Sequence, residues 1–169
     1  MKLRLSAIFL IAAALLALVA ACGGGGGEEL TLVEYFQQVE TLDDELDERF
    51  EALELREEFA SQEEQVLAFQ DFFAAVIPIL AEFVDAIDDL DPPAEVEDAH
   101  EEVVDSGREF VADAEELTNE LADVGSSSEL EEVFDDPEYE AASDRFLQAC
   151  FALQDIADAN GIDVVLTCR

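Results

Sequence analysis

The only histidine of the chain, His100, follows Glu97 in a Glu-x-x-His pattern that could bind a transition metal. In carboxylate-bridged di-iron bundles, two such pairs on two helices are joined by a glutamate from each of two further helices. A single histidine cannot complete that set, so the sequence predicts no metal centre and no cofactor. A neutral histidine needs a hydrogen-bond partner for its ring nitrogens, and His100 is expected at the surface or at an end of a helical bundle.

Haem and calcium sites also lack their ligands. Met1, the only methionine, belongs to a leader segment described below, and no Cys-x-x-Cys-His motif is present. Residues 158–163 have the acidic pattern of a calcium loop, but with Gly161 as its glycine the terminal ligands fall on Ile156 and Thr167. Asn160 and Gly161 therefore indicate a helix end. Acidic runs at 43–45, 88–89 and 135–136 diverge along their helices and would hold divalent cations weakly.

No set of nucleophile and base stands out. A Ser-His-Asp site would have to use His100, and no Gly-x-Ser-x-Gly motif is present. Paired carboxylates are so frequent that they give no information about glycosidase chemistry. The sequence therefore does not predict an enzyme, and an envelope hydrolase ranks last among the functions considered.

A cluster of aromatic residues could line a binding site for an apolar ligand. Phe69, Phe72, Phe73 and Phe83 share one apolar segment with Pro78. A proline kink there could open an apolar pocket between helices. Aromatic residues at helical spacing also build close-packed cores, and a close-packed core is the preferred interpretation.

The chain carries 44 acidic residues against 7 basic ones, a net charge of -37. This charge disfavours binding to nucleic acid or to an anionic membrane surface. It favours solubility, cationic partners and loosely held divalent cations. A solvated acidic surface is the simplest interpretation, a salt-rich habitat would select the same composition, and a charge-selected cationic ligand is the narrower alternative. The 50% hydrophobic content predicts a folded domain despite the charge.

The first 22 residues have the composition of an export leader: Lys2 and Arg4 precede an apolar run that extends to Ala21. The ending Val19-Ala20-Ala21-Cys22 resembles the lipobox of bacterial lipoproteins. That resemblance implies cleavage before Cys22, diacylglycerol on its sulfur and, in many bacteria, an acyl group such as palmitate on the new amino terminus.

The expected domain organisation follows from that cleavage. Residues 1–21 form a removed signal peptide, residues 22–30 a lipidated cysteine with a glycine-rich tether, and residues 31–169 an acidic domain. The five consecutive glycines give the tether a reach of about 12 Å. The protein is therefore expected at the cell membrane on its extracytoplasmic side, where only the lipid on Cys22 contacts the bilayer. Without Lys2 and Arg4 its net charge is -39.

With Cys22 assigned to lipid, Cys150 and Cys168 remain as an even pair in an exported chain, which predicts a disulfide. The helix from Cys150 to Gly161 would be about 16 Å long. The seven residues from Ile162 to Cys168 reach at most about 25 Å. A strand-like or coil tail can therefore fold back along the last helix to Cys150.

Apolar residues at three- and four-residue steps predict an all-α fold with four long helices and one short one. The first should run for about 28 residues after Thr31, and the others should span about 61–90, 92–124, 128–134 and 137–159. The expected start signals are capping boxes at Thr31, Ser61 and Ser128, a cap at Asp91, and Asp136 followed by Pro137.

Three glycine and proline positions refine this prediction. Pro78 is expected to kink the second helix, and Gly125 is expected as a left-handed cap. Gly107 could permit a close helix contact or, equally, could simply weaken its helix. The second helix has only ten uncharged residues between Asp71 and Glu82, too few for a membrane span. Short connections imply antiparallel neighbours, hence an up-down-up-down four-helix bundle with a short extra helix before the last long one.

Leu32-x-x-Tyr35-Phe36, Leu90-Asp91-Pro92-Pro93 and the terminal cysteine pair are similar to uncharacterised helical lipoproteins of Gram-positive and related bacteria. That resemblance implies a fold and a location, without an activity. The main hypothesis is a monomeric, non-catalytic protein that binds or scaffolds a protein or cationic partner at the envelope. The alternative is a carrier of a small apolar ligand or cation, using the Phe-lined interior or the acidic surface.

Overall fold

The computed structural model describes residues 30–53 and 59–168, and within these ranges the fold is all-α without strands. The predicted signal peptide, Cys22 and the five-glycine tether lie outside the described residues. The five helices, in chain order, are α1 (Leu32–Glu51), α2 (Gln62–Asp88), α3 (Glu97–Leu121), α4 (Ser127–Phe134) and α5 (Pro137–Ala159). The first helix is shorter than the predicted 28 residues: it has 20.

Short polar motifs start three of the long helices as predicted. Thr31 and Glu34 form a reciprocal capping box at α1. Ser61 accepts a hydrogen bond from the Glu64 backbone at α2. At α5, Asp136 accepts from the Glu138 backbone and Pro137 occupies the first turn. Each cap supplies an acceptor to a backbone N–H that has no partner within its helix.

The prediction was wrong at both ends of α3. Its N-cap is Val96, without a side-chain cap, in place of Asp91. Val96 is 1% exposed, so core packing outweighs polar capping there. The helix ends at Leu121 and Gly125 is not left-handed; among the described residues only Gly161 has a positive φ, 67°. Gly161 follows the end of α5, as predicted.

The predicted capping box at Ser128 is displaced by two residues. The backbone N–H of Glu129 donates to the Ser126 hydroxyl, and the Glu129 carboxylate accepts from the Gly125 backbone. Three consecutive serines offer alternative registers for one motif, so sequence alone selects the wrong one.

Helix α3 packs most extensively against α2 and α5, while α1 packs against α2. Gly107 permits the close approach of α3 to α2, as expected, because a Cβ built there would lie 2.8 Å from Cγ2 of Val84. One buried cluster joins the four long helices and the C-terminal tail, and a second surrounds α4.

The tail, residues 162–168, is an irregular segment that joins α1 to α5. The Val165 N–H donates to Glu40 at 3.1 Å and the Thr167 N–H donates to Asp43 at 2.6 Å, both on α1. On the other side, Gln154 of α5 accepts from the Leu166 N–H at 2.8 Å. The sulfurs of Cys150 and Cys168 are at bonding distance, with Cα atoms 5.7 Å apart, within the range of disulfides. The predicted coil tail that folds back is therefore present.

Helix α2 is long and apolar enough to cross a membrane by length and composition, a test that the core helix of a soluble protein also passes. Only 22% of its most apolar window is buried inside the fold. Six apolar side chains of α2 line a cavity between the helices, which is the candidate site described next.

Candidate functional site: an elongated apolar cavity

A cavity of about 420 Å³ lies between α1, α2, α3, α5 and the C-terminal tail, and we call it the central cavity. Every one of the four long helices contributes to its wall. Its lining residues are Asp43, Leu46, Phe50, Phe72, Phe73, Val76, Ile77, Leu80, Phe83, Phe110, Ala114, Tyr139, Ser143, Phe146, Leu147, Cys150, Thr167 and Cys168.

The cavity is elongated along the helices. On α2 its lining extends from Phe72 to Phe83, and on α5 from Tyr139 to Cys150. Each pair is eleven residues apart, which corresponds to about 16 Å along a helix axis. The volume lies within the range of roughly 300–1,000 Å³ that small-molecule sites occupy, so the cavity can hold an extended small molecule.

The structure brings together three of the five residues predicted to form an apolar pocket. Phe72, Phe73 and Phe83 line the central cavity. Phe69 lies outside it, in a groove next to α4 that Phe72 and Phe73 also line. Pro78 is exposed and borders a separate hollow between α2 and α3. The remaining aromatic lining was missed: Phe50, Phe110, Tyr139 and Phe146 come from the other three long helices.

Asp43 is the site residue that the sequence analysis assigned to a solvated acidic run. Its side chain is 6% exposed and lines the central cavity. Its Oδ2 accepts the hydrogen bond from the Thr167 N–H. Burial raises the pKa of the Asp43 carboxyl above its ordinary value, and Asp47 and Asp44 add to this, although hydrogen bonds from Thr167 oppose it.

The spacing of α1 could have revealed Asp43. Val39, Asp43, Leu46 and Phe50 follow steps of four, three and four residues, so Asp43 occupies a position of the apolar stripe. A charged residue at such a position is rarely buried without a partner. The apolar spacing therefore indicated a buried position, but Asp44 and Glu45 next to Asp43 favoured the interpretation as an exposed acidic run.

His100 lies in the first turn of α3, near the helix end, where it is 6% exposed. Its Nδ1 is 3.2 Å from the hydroxyl of Tyr35, which is fully buried. Burial lowers the pKa of His100, although Asp88 and Glu101 act to raise it. The expectation of a surface position was wrong, because Tyr35 supplies the partner that a buried imidazole requires.

The arginines within residues 30–53 and 59–168 form ion pairs at the surface. Arg49 pairs with Glu82 at 2.8 Å and Arg108 with Asp88 at 2.6 Å. Arg145 contacts both Glu102 and Glu109. Within residues 30–53 and 59–168, no three His, Cys, Asp or Glu residues are grouped so that they could hold a metal ion. Among the described residues, no basic side chain lines the central cavity.

Comparison with protein-family models, curated proteins and solved structures finds no match to this chain.

Proposed function

We infer that this protein is a non-catalytic binding protein of the bacterial cell envelope that holds a small apolar ligand in the central cavity. The observation that carries this proposal is the elongated 420 Å³ cavity, lined mainly by aromatic and aliphatic side chains. Binding sites for small apolar molecules combine an apolar wall with a few polar groups, as here.

The polar groups of the cavity support binding rather than catalysis. Asp43, Tyr139, Ser143 and Thr167 are the polar lining residues, whereas His100 lies in the main core with Tyr35. The two cysteines of the wall are at disulfide distance from each other. The described lining of the cavity therefore offers neither a histidine to activate a hydroxyl nor a free thiol as nucleophile.

The proposed architecture is an up-down-up-down bundle of α1, α2, α3 and α5. It is supported by the packing of α1 on α2, of α2 on α3 and of α3 on α5. In this arrangement the tail occupies the seam between the first and last helices, where it bonds to both. The tail then forms one wall of the cavity through Thr167 and Cys168.

The proposed location is the extracytoplasmic face of the cell membrane, with the domain anchored through lipid on Cys22. It is supported by the leader and the lipobox-like ending Val19-Ala20-Ala21-Cys22. Metabolic labelling with an alkyne analogue of palmitate tests it: the label should appear on the protein in the membrane fraction and disappear in Cys22→Ser. An unlabelled wild-type protein in the cytosol would contradict this location.

Ligand binding is tested with the mature chain 22–169, carrying Cys22→Ser so that no attached acyl chain can compete. N-phenylnaphthylamine, an uncharged apolar dye, should bind with saturable fluorescence enhancement. Ser143→Phe fills the cavity with a ring and should abolish this signal. Ala141→Phe, on the exposed side of the same helix, is the matched control and should bind as the wild type does. Equal binding by both variants would place the dye elsewhere and refute the proposal.

A further inference from the structure

The chemistry of the central cavity is not uniform along its length. Asp43 is the only charged residue of its described lining. It lies with Thr167 beside the disulfide of Cys150 and Cys168. Cys150 is the last lining residue of α5, and Tyr139, the first, lies eleven residues away, about 16 Å by helix rise, in the same apolar cluster as Phe73. The cavity thus has an acidic end and a long apolar remainder.

The carboxylate of Asp43 retains acceptor capacity. An ionised carboxylate has two oxygens with about four lone-pair sites. The Thr167 N–H uses one of them, on Oδ2, and a side-chain hydrogen bond from Thr167 uses another. The arginines within the described residues pair with other acids: Arg49 with Glu82, Arg108 with Asp88, and Arg145 with Glu102. No cation of the described chain therefore neutralises this carboxylate inside its apolar surroundings.

The apolar end continues past the cavity. Phe72 and Phe73 also line the groove next to α4, together with Phe69, Leu130 and Phe134, and its polar lining residues are Gln65 and Asp135. A hydrocarbon chain that extends beyond the central cavity would meet this second aromatic surface. The shape therefore suits a molecule with one small charged head and one unbranched apolar chain.

We propose that the central cavity selects a cationic amphiphile, whose ammonium group pairs with Asp43 and whose hydrocarbon chain lies among Phe72, Phe73 and Phe83. This rests on the proposed function and adds the class of ligand to it. The net charge of the chain acts in the same direction, since a strongly negative surface concentrates cations and repels fatty acids and anionic lipids.

The test compares three ten-carbon probes that differ only in the head group: decylammonium, decanol and decanoate. Binding is measured by calorimetry on the mature chain 22–169 with Cys22→Ser, below the concentrations at which the probes form micelles. Sodium chloride at about 1 M reduces the Debye length to about 3 Å and removes attraction by the general surface charge. Decylammonium should bind about tenfold or more tightly than decanol, as a charge-assisted hydrogen bond predicts, and decanoate should bind most weakly.

Asp43→Asn separates this proposal from its alternatives. The asparagine oxygen can still accept from the Thr167 N–H, so the tail keeps its contact while the charge is lost. In this variant the advantage of decylammonium over decanol should disappear, so that the two probes bind with similar affinity. Asp44→Asn removes the same charge from the exposed neighbouring position and should leave the cation preference intact.

Each other outcome is decisive. If decanol binds to the wild type and decylammonium binds no more tightly, the assignment of a cationic head is overturned while the apolar site remains. The same conclusion follows if decylammonium binds more tightly than decanol to the wild type and to Asp43→Asn alike. If Asp44→Asn loses the preference as Asp43→Asn does, the cation is held by surface charge and the inference fails. If none of the probes binds and none displaces N-phenylnaphthylamine, both the inference and the proposed function fall.

Discussion

Reduction of the Cys150–Cys168 disulfide should destabilise the domain by a predictable amount. The two cysteines are 18 residues apart in sequence. For a loop of that length the chain-entropy relation gives about 3 kcal/mol of stabilisation. With an unfolding entropy of about 2.1 cal/mol/K per residue, this corresponds to a decrease in Tm of about 10 °C for a domain of this size. Thermal unfolding followed by circular dichroism, with and without a phosphine reductant, measures the shift.

The structural consequence should be confined at first to the tail. The N–H groups of Val165, Leu166 and Thr167 donate to side chains of α1 and α5. These three amides should exchange faster with deuterium after reduction, whereas amides in the middle of α3 should not change. Such a pattern would show that the covalent bond holds the tail against the two helices.

A double variant, Cys150→Ser with Cys168→Ser, provides the control for reagent effects. It should unfold at the Tm of the reduced wild type and should not respond to the reductant. If the wild type instead keeps its Tm under full reduction, with two free thiols confirmed by mass spectrometry, the tail is held by its hydrogen bonds and burial alone. The entropic reasoning would then be refuted for this protein.

Three further substitutions test other parts of the fold. Gly107→Ala should lower the Tm, because the new Cβ would lie 2.8 Å from the buried, β-branched Val84. The overpacking cost of about 1–3 kcal/mol exceeds the roughly 1 kcal/mol that alanine gains in helix propensity. Denaturant titration measures the net change in the free energy of unfolding. His100→Gln should reduce the loss of stability on acidification. Burial depresses the pKa of His100 in the folded protein below its ordinary 6.5. As the pH falls through and below 6.5, the unfolded chain therefore binds more protons than the folded one, and the wild type loses stability. Differential scanning calorimetry of both proteins across this pH window checks the sign. Asp43→Asn should raise the Tm near neutral pH, because the pKa of Asp43 is raised in the folded state and its ionisation therefore costs stability as the pH rises through that pKa. An unchanged Tm would show that the hydrogen bonds of the charged form with Thr167 offset this cost, and a lower Tm that they exceed it.

Features fixed by a few neighbouring residues were predictable from sequence. The caps at Thr31 and Ser61 and the Asp136–Pro137 start each need only residues within one turn. The start of α3 was not predictable in this way, since Val96 is placed by burial against distant residues. Tertiary contacts outweigh local preference where the two conflict.

The C-terminal tail likewise has one feature that could be predicted from the sequence and one that could not. Its return to Cys150 follows from the cysteine count and the reach of seven residues, both properties of the sequence. Its position between α1 and α5 depends on Glu40 and Asp43, which lie more than a hundred residues earlier. No local pattern specifies such a contact, so the sequence predicted the covalent link and not the surface on which the tail lies.

The central cavity was the hardest feature to predict, because a void is the difference between the volumes of facing side chains rather than a property of any one helix. The helical spacing of Phe72, Phe73 and Phe83 is equally compatible with a filled core. Asp43, by contrast, was visible as an acid on an apolar stripe. Its burial destabilises the charged form of the carboxyl, and no positively charged side chain within the described residues offsets that cost. Natural proteins break the rules of packing at functional sites and compensate elsewhere, and a carboxylate buried at the wall of an apolar cavity is an exception for which the proposed cationic ligand would account.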